Sequence, residues 1–492
     1  MNTLQVSFRR TLLAGLTTAS TLAAAWTLAT ILPPDSGLAF RAAFVAIFAL
    51  LFAWVSQAFW TASFGFLSLA ARRRGVPLPP SSAPPTAAPP PSRAAVVMPI
   101  YNEDPARVTA GLRAMYESLA ATGQLERFDF YLLSDSNDPD VWIEEERAWW
   151  ELTRAVGGNG RIFYRNRFEN HGRKAGNIAD FCCRWGSLYD YMIVLDADSI
   201  MAGETLVELV RRMDENPRAG IIQVPSLPVN RESLFARIAQ FGSSVYGPVY
   251  AAGINWWQGV DGNYYGHNAI LRTAAFVRHC GLPTLPGRPP LGGEIHSHDF
   301  VEAALLRRAG WEVLLADDLD GSYEEVPPTL IDYAKRDRRW CQGNLQHARI
   351  LATRGLTAAS RAHLALGVMS YLSSPLWLLL LVISGIEAVW RAQTPPVYFR
   401  ADNPFPVWPV SHHDKFVVLF AVTAAFLFLP KLYGLVLLFR DRAALRRHGG
   451  AAGAVLSVVF ESLFSVLLAP IMMLFQSSFV FTALIGRTVP WA

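Results

Sequence analysis

Four long apolar runs frame a middle region in which short apolar segments alternate with polar and helical stretches. The runs lie at 11–32, 42–69, 364–389 and 416–439, and they carry few or no charges. Each run is long enough to cross the hydrocarbon core of a bilayer as an α-helix. The pattern therefore predicts two transmembrane helices on either side of a globular domain.

Basic residues at the ends of these runs predict their orientation. Arg9 and Arg10 precede the first run, an Arg triplet at 72–74 follows the second, and an arginine cluster at 440–447 follows the fourth. Such residues stay in the cytoplasm, so the N-terminus and the middle domain are predicted to be cytoplasmic. The first run is too long for a signal peptide and no small-residue cleavage site ends it.

A fifth apolar run at 455–485 is open to two interpretations. Its hydropathy favours a membrane span, but Glu461 lies within it and Pro470 interrupts it. A charge and a helix-breaking proline are unusual in a lipid-facing span. A helix lying along the membrane surface is the alternative.

A Pro-rich spacer at 77–92 separates the first two spans from the middle domain. Short apolar runs then predict strands at 94–100, 128–133, 161–164, 219–224 and at the start of 191–199. Helical patterns at 105–121, 141–156, from 175 onward and at 301–308 lie between or after them. This alternation predicts an α/β domain with a doubly wound, mostly parallel sheet.

The domain boundaries follow from these patterns. The N-terminal transmembrane hairpin takes residues 1–76, the linker 77–92 and the cytosolic domain 93–326. A basic amphipathic pattern at 330–351 predicts interface helices over 327–362. Residues 363–492 hold the C-terminal transmembrane and interfacial helices.

The composition agrees with a membrane protein: 52% of the residues are hydrophobic, 17% are charged and the mean hydropathy is +0.22. A net charge of +4, without a strip of Lys and Arg among aromatic residues, argues against nucleic acid as a partner. The four cysteines lack the paired spacing of a zinc site and are predicted to be free thiols.

The pair Asp196 and Asp198 directly follows the apolar strand at the start of 191–199. Ligands of open α/β sheets bind at the carboxyl ends of strands, and two carboxylates there suit Mg²⁺ or Mn²⁺ on a diphosphate. The alternative is a helix N-cap, because a helical pattern with Glu204 follows soon after.

Three other polar groups lie at predicted strand ends. Tyr101 and Glu103 follow the first strand, Asp135 follows the second, and Lys174 lies in a basic, glycine-punctuated turn that opens a helix. Such a turn suits phosphate, and together the groups describe a nucleotide-sugar site. Any one of them alone would more often be a cap or a turn residue.

Two motifs lie further along the chain. Asp299 precedes an apolar helix and is interpreted as a general base, with a helix cap as the alternative. The spacing of His296 and His298 suggests a metal site only weakly, because no third ligand lies nearby. Trp340, beside cationic Arg336, predicts a sugar-stacking surface, or else an ordinary Trp/Arg helix end at a membrane.

In this order the motifs resemble those of the processive, inverting family-2 glycosyltransferases, which include cellulose, chitin and hyaluronan synthases. The matching positions are Asp135, Asp196, Asp198, Asp299, Arg339 and Trp340. The stretches 133–138, 167–177, 264–270 and 336–344 look closer still to the glucosyltransferases that build osmoregulated periplasmic glucans in Gram-negative bacteria.

The resemblance implies a nucleotide-sugar-binding, GT-A-like domain in the bacterial inner membrane, with UDP-glucose as donor and a β-1,2-glucan as acceptor and translocated product. It implies acyl carrier protein as a partner and Mg²⁺ or Mn²⁺ as cofactor. The mechanism that we expect from the motifs assigns these roles: Asp299 as base; Tyr101, Glu103, Asp135, Lys174 and Asp196 for the nucleotide sugar; Asp196 and Asp198 for the metal; and Arg336, Arg339, Trp340, His267 and Asn268 for the acceptor.

The sequence departs from the cellulose synthase pattern at two points. Ser297-His298-Asp299 stands where Thr-Glu-Asp is common, and Arg336 stands where Gln is expected. The resemblance also favours an interfacial position for 455–485. It implies a longer natural protein, with a gating loop and further spans beyond residue 492.

Other functions remain open at this point. A β-1,4 or β-1,3 synthase would use the same donor, and a lipid-phosphate sugar transferase would leave the Arg339-Trp340 pair without a polymer to hold. A transporter with a nucleotide-binding domain is the non-enzyme alternative. It would require charges within the spans, and these are few, with Glu387 and Lys431 as the exceptions.

Overall fold

The computed structural model describes residues 3–33, 36–72, 92–393, 398, 405–406 and 412–487. The predicted spacer at 77–92 lies outside the described residues except for Ser92. The helices are α1 (Thr3–Ile31), α2 (Leu38–Ala71), α3 (Pro105–Ala121), α4 (Pro139–Ala155), α5 (Arg173–Trp185), α6 (Gly203–Glu215), α7 (Leu234–Gln258), α8 (Thr273–His279), α9 (His298–Arg308), α10 (Leu330–Ile350), α11 (Ala358–Gln393), α12 (His413–Arg440), α13 (Arg442–Arg447) and α14 (Gly450–Leu484). The strands are β1 (Ala94–Ile100), β2 (Phe128–Ser134), β3 (Ile162–Asn166), β4 (Tyr191–Val194), β5 (Ile200–Met201), β6 (Ala219–Gln223), β7 (Leu227–Pro228), β8 (Ala269–Arg272), β9 (Glu312–Leu315) and β10 (Ser322–Glu324).

Seven strands form the central sheet in the order β3-β2-β1-β4-β8-β6-β9. Every neighbouring pair is parallel except those of β8, which runs antiparallel to both β4 and β6. A second sheet of three short strands has the order β5-β10-β7. The predicted α/β domain with a mostly parallel sheet, held between long apolar helices, is confirmed.

Both faces of the sheet are covered, as the unbroken apolar runs of β1 and β4 require. Side chains alternate along β1, so Val96 packs with Leu112 of α3 on one face while Val97 packs with Ile178 of α5 on the other. All four side chains are almost completely buried. The sheet is therefore rigid, and the loops at its carboxyl edge are held in fixed positions.

Helix α7 joins the domain to the membrane helices and was not predicted from the sequence. It crosses α2 at two glycines: a Cβ on Gly253 would overlap the Thr61 carbonyl oxygen, and one on Gly65 would overlap that of Val249. Such close backbone approach is typical of membrane helix crossings. Arg10 of α1 also donates to the Trp257 carbonyl at 3.0 Å, so the start of α1 lies on the side of the domain.

Five described helices are long and apolar enough to cross a membrane: α1, α2, α11, α12 and α14. The four predicted runs at 11–32, 42–69, 364–389 and 416–439 correspond to the first four of these helices, and only the first run extends beyond its helix, by one residue. The fifth is α14, whose Glu461 forms an ion pair of 2.8 Å with Lys431 of α12. Pairing within the bundle explains how α14 accommodates its charge.

Helix α14 contacts helices that border the domain near both of its ends. Close to its start, Val458 packs with Val245 of α7, and Glu461 accepts a hydrogen bond from Tyr246. Close to its end, Val480 packs with Cys341 of α10. Both ends of α14 therefore contact helices that adjoin the domain.

Candidate active site

Four polar loops meet at the carboxyl edge of the central sheet. β1 and β2 end side by side, with Ile100 opposite Ser134, and Val194 at the end of β4 lies opposite Val97. β8 runs antiparallel to its neighbours β4 and β6, so its first residues lie at the same edge as the last residues of those two strands. This reversal brings loop 266–268 to the same edge of the sheet as loops 101–104, 135–138 and 195–199.

Asp196 and Asp198 lie in a turn beyond β4. The Ser199 N–H donates to the Asp196 carbonyl oxygen at 3.0 Å, which closes the turn. Helix α6 begins only at Gly203, and its N-cap position is Ala202 without a side-chain hydrogen bond. The alternative that Asp198 or Ser199 caps this helix is therefore wrong.

The two carboxylates differ in their electrostatic surroundings. Burial and the neighbouring Asp196 raise the pKa of Asp198. Burial acts in the same direction on Asp196, but the ammonium of Lys174, with contributions from His267 and His298, outweighs it and lowers the Asp196 pKa. The Asp196 side chain keeps 40% of its surface exposed, so this carboxylate faces the cleft.

The Lys174 side chain reaches Asp196 from the first turn of α5. The turn before it needs glycine: Gly172 has φ +67°, and a Cβ on Gly176 would overlap the His171 carbonyl oxygen. The Lys174 ammonium pairs with Asp196 and donates to the Gly266 carbonyl oxygen at 2.8 Å. One side chain thus links the loops after β4 and before β8.

Asp135 is held by Arg167, a residue that the sequence analysis did not assign. Arg167 donates to both carboxylate oxygens, at 2.8 and 2.7 Å, and to the carbonyl oxygens of His171 and Arg173. Burial raises the pKa of Asp135, and Arg167 opposes that rise. A basic residue just after β3, beside the acidic end of β2, was the pattern that could have revealed this pair.

Tyr101 and Glu103 form a tight turn after β1. The Glu103 carboxylate accepts a hydrogen bond from the Tyr101 N–H, and Asn102 adopts the left-handed conformation with φ +55°. Burial raises the Glu103 pKa to about 7, with a further contribution from Asp196. Asn102 also donates from its backbone to Ser136 Oγ at 2.8 Å, which fixes this loop against the loop after β2.

His267 and Asn268 lie at the start of β8 but differ in exposure. His267 Nε2 is 3.5 Å from Glu324 and the ring is mostly covered. The Asn268 side chain is completely buried and donates to Ser322 Oγ at 2.8 Å. In this structure the buried Asn268 side chain therefore supports the loop from beneath and is not exposed for the predicted contact with an acceptor.

Asp299 lies in the first turn of α9, at the floor of the same cleft. The N-cap position of α9 is Ser297, so Asp299 is inside the helix and does not cap it. A Cβ placed on Gly266 would lie 3.5 Å from the Asp299 carboxylate, so Asp299 borders the loop that Lys174 contacts. Burial raises the pKa of Asp299, which favours proton uptake by this carboxylate.

Helix α10, which carries Trp340, packs against the turn that precedes Asp299. Gly343 lies directly against Ser297, and Gln346 accepts from the His296 N–H at 3.0 Å and donates to the Pro290 and Glu294 carbonyl oxygens. Gln346 is completely buried. The position of α10 is thereby fixed relative to the proposed base.

The Trp340 side chain itself is 47% exposed. The Arg336 guanidinium lies 4.6 Å from its ring centroid, a cation–π contact. Arg339 is half-buried, and burial together with Arg336 lowers its pKa. The structure thus places the three side chains on one basic, aromatic stretch of α10.

The carboxylates of Asp196 and Asp198 fit a divalent cation in one respect. Asp196 and Asp198 are close enough for Asp196 to raise the pKa of Asp198, and a cation between them would relieve that repulsion. Within the described ranges, no group of three or more His, Cys, Asp or Glu side chains could hold a metal. The remaining ligands would have to come from phosphate oxygens and water, as is usual for Mg²⁺.

Comparison with known families agrees with this fold. Residues 95–279 match the model described as glycosyl transferase family 2, and residues 191–390 match that of glycosyl transferase family group 2. Together the matches cover 95–390, which is 296 of the 492 residues. The chain therefore belongs to the family 2 glycosyltransferases, and the GT-A-like assignment of its domain is confirmed.

Among curated proteins, the chain is similar to those named glucans biosynthesis glucosyltransferase H. It is 51% identical to that of Cupriavidus pinatubonensis over 486 residues, which are 99% of this chain and 56% of that protein. It is 50% identical to that of Pectobacterium atrosepticum over 448 residues, 91% of this chain and 52% of that protein. The chain spans about half the length of the curated relatives it matches.

One solved structure is a more distant match. A mannosyltransferase from Pyrobaculum calidifontis, in complex with GDP-Man and Mn²⁺, covers 87% of this chain at 14% identity with a TM-score of 0.48. That similarity is too remote to carry a functional inference.

Proposed function

We propose that this chain transfers glucose from UDP-glucose, with inversion, to the 2-hydroxyl of a growing β-1,2-glucan at the bacterial inner membrane. The observation that carries the proposal is the meeting of four strand-edge loops with Asp299, next to helix α10, which carries the exposed Trp340. The name shared by relatives about 50% identical supports a glucose donor and a glucan product. The product would be the backbone of an osmoregulated periplasmic glucan.

On the donor side, the loops after β1 and β2 would hold the nucleotide. Tyr101 and Glu103 would line one wall of the nucleotide site. On the other wall, Asp135 would accept hydrogen bonds from the nucleotide. Lys174 lies at the N-terminus of α5, where backbone N–H groups and a cation favour phosphate. When UDP-glucose binds, we expect Lys174 to contact the diphosphate beside Asp196.

Mg²⁺ or Mn²⁺ would be held by Asp196 and Asp198 together with diphosphate oxygens. Such an ion would neutralise charge that develops on the departing diphosphate. Asp196 would then hold the ion while Lys174 keeps its bond to the Gly266 carbonyl oxygen.

On the acceptor side, Asp299 would take the proton of the acceptor hydroxyl as that oxygen forms its bond to the anomeric carbon. The bond from that carbon to UDP breaks on the opposite face, so the configuration inverts. Trp340 would stack on the acceptor sugar, with Arg336, Arg339 and His267 beside it. Since Gln346 fixes α10 against the turn before Asp299, acceptor and base would be held at a constant separation.

We further propose that α14 lies along the cytoplasmic interface, because it contacts helices next to the domain near both ends. α1, α2, α11 and α12 would cross the bilayer and provide a path for the product. Acyl carrier protein, the partner implied by the resemblance, would be tested by co-purification with the chain.

The test is transfer of radiolabelled glucose from UDP-glucose by the purified chain with Mg²⁺, followed by linkage analysis of the polymer. Asp299→Asn keeps the shape of the side chain but cannot take a proton, so we expect polymer synthesis to fall at least 100-fold while UDP binding is retained. Polymer made at the normal rate by Asp299→Asn would refute the base assignment. A 1,4- or 1,3-linked product would refute the β-1,2 assignment.

A further inference from the structure

A buried ion pair lies directly behind the proposed base. His298 Nδ1 is 3.0 Å from Glu302 Oε1, one helical turn further along α9. His298 is 9% exposed and Glu302 is 3% exposed. A buried carboxylate is costly unless a cation or hydrogen-bond donor compensates it, so Glu302 requires this partner.

The groups around this pair are themselves charged or polar. Asp299 follows His298 in the chain, and Lys174 and Asp196 lie at the cleft side. From the opposite side, Cys280 Sγ lies 3.6 Å from the Glu302 carbonyl oxygen. Tyr264 is completely buried there, and burial with the charges of Glu302 and Asp299 raises its pKa.

Two carboxylates, Asp299 and Glu302, thus lie three residues apart on one helix in a poorly solvated region. Burial alone would lower the pKa of His298, but Glu302 outweighs burial and raises it. The imidazolium favoured in this way also opposes the rise in the Asp299 pKa that burial and Glu302 cause. His298 therefore balances the charge of both carboxylates.

We propose that His298, held by Glu302, is a positioning residue that keeps Asp299 ionised and oriented for proton abstraction from the acceptor. The proposal rests on the proposed function of Asp299 and adds to it a reason for His298 at the position where Glu is common in related synthases. His298 does not contact the substrate. Its role is to supply the cation that a carboxylate base needs once two acidic groups share one buried turn.

If His298 had only a structural role, its loss would have a different effect. An i, i+4 pair of His and Glu also stabilises a helix, and its loss would then lower activity equally at every pH. A charge-balancing role shifts the pH dependence, because Asp299 is active only when ionised. The rate rises with pH through the pKa of Asp299, so loss of His298 moves this acidic limb to higher pH.

The experiment measures UDP release by the full chain between pH 5 and 9. For His298→Gln we expect the acidic limb to move up by on the order of one pH unit, with the KM for UDP-glucose unchanged. The double variant His298→Gln/Glu302→Gln removes the opposing charge as well, so its limb should return toward the wild-type position. His279→Gln, at the end of α8, is the matched control. A uniform loss at every pH, or a double variant no better than the single one, would overturn the proposal.

A second measurement does not depend on activity. Thermal unfolding of the full chain is compared for His298→Gln in the wild-type and Asp299→Asn backgrounds. If His298 stabilises ionised Asp299, its loss lowers the Tm by more in the wild-type background than in Asp299→Asn. Equal losses would overturn the proposal. Absence of UDP release from the wild type would refute the proposed function. The comparison of Tm values would still show whether His298 and Asp299 are coupled.

Discussion

Arg167 shows how a single side chain organises the nucleotide side of the cleft. It bonds both oxygens of Asp135 and two carbonyl oxygens of the loop before Lys174. Arg167→Ala would leave a buried carboxylate without its partner and free that loop. We expect the affinity for UDP to fall about tenfold or more, equivalent to ~1.5 kcal/mol.

Calorimetric titration with UDP measures this effect in the solubilised chain. Arg147→Ala is the control, because Arg147 is exposed and pairs with Glu151 on the surface of α4. Wild-type affinity in Arg167→Ala would contradict the role of the Arg167–Asp135 pair in nucleotide binding.

Glu103 predicts a pH dependence of stability in the ligand-free chain. Burial raises its pKa from 4.5 to about 7, so folding favours the protonated form. The stability that this group contributes is complete below pH 4.5 and is lost as the pH rises through about 7. Glu103→Gln, which stays neutral, should therefore match the wild type near pH 4.5 and exceed it above pH 7, by about 3 kcal/mol at most.

Thermal unfolding of both proteins between pH 4.5 and 8 measures that difference. Glu117→Gln on the exposed face of α3 is the matched surface control. A Glu103→Gln difference that stays constant across this range would contradict the raised pKa.

At the scale of elements, the crossing of α2 and α7 makes a strong prediction. Gly253→Ala places a methyl group against the Thr61 carbonyl oxygen, so the helices must separate. Overpacking of this kind costs about 1–3 kcal/mol, and we expect a lower Tm in detergent. Gly247→Ala on the same helix is the matched control, since its nearest atom is 3.7 Å away. Equal Tm values for the two variants would contradict the tight crossing.

Elements with a strong local pattern could be predicted closely from the sequence. β1 and α3 have the predicted bounds, and α10 differs from its prediction by one residue at its end. β8 has only four residues, and nothing in them specifies an antiparallel position between β4 and β6. α7 lacks a long apolar run, so its local sequence pattern is weak. Its contact with α2 stabilises it instead.

At the scale of the whole molecule, the position of α14 is open to direct measurement. If it lies along the cytoplasmic interface, Ala451→Cys and Arg487→Cys should both react with a membrane-impermeant thiol reagent from the cytoplasmic side. A Cys183→Ser background removes the exposed native thiol. Phe405→Cys, between α11 and α12, should react from the opposite side. Reaction of the two α14 ends from opposite sides would establish a membrane span.

The sequence by itself determined the apolar helices, the α/β alternation and the acidic strand ends, because each depends on neighbouring residues. Only the tertiary structure decided that Asp196 and Asp198 do not cap α6, that Asn268 is buried, and that Arg167 holds Asp135. These depend on contacts between segments distant in the chain. Strand order and the reversal of β8 create such contacts, and neither has a local sequence pattern.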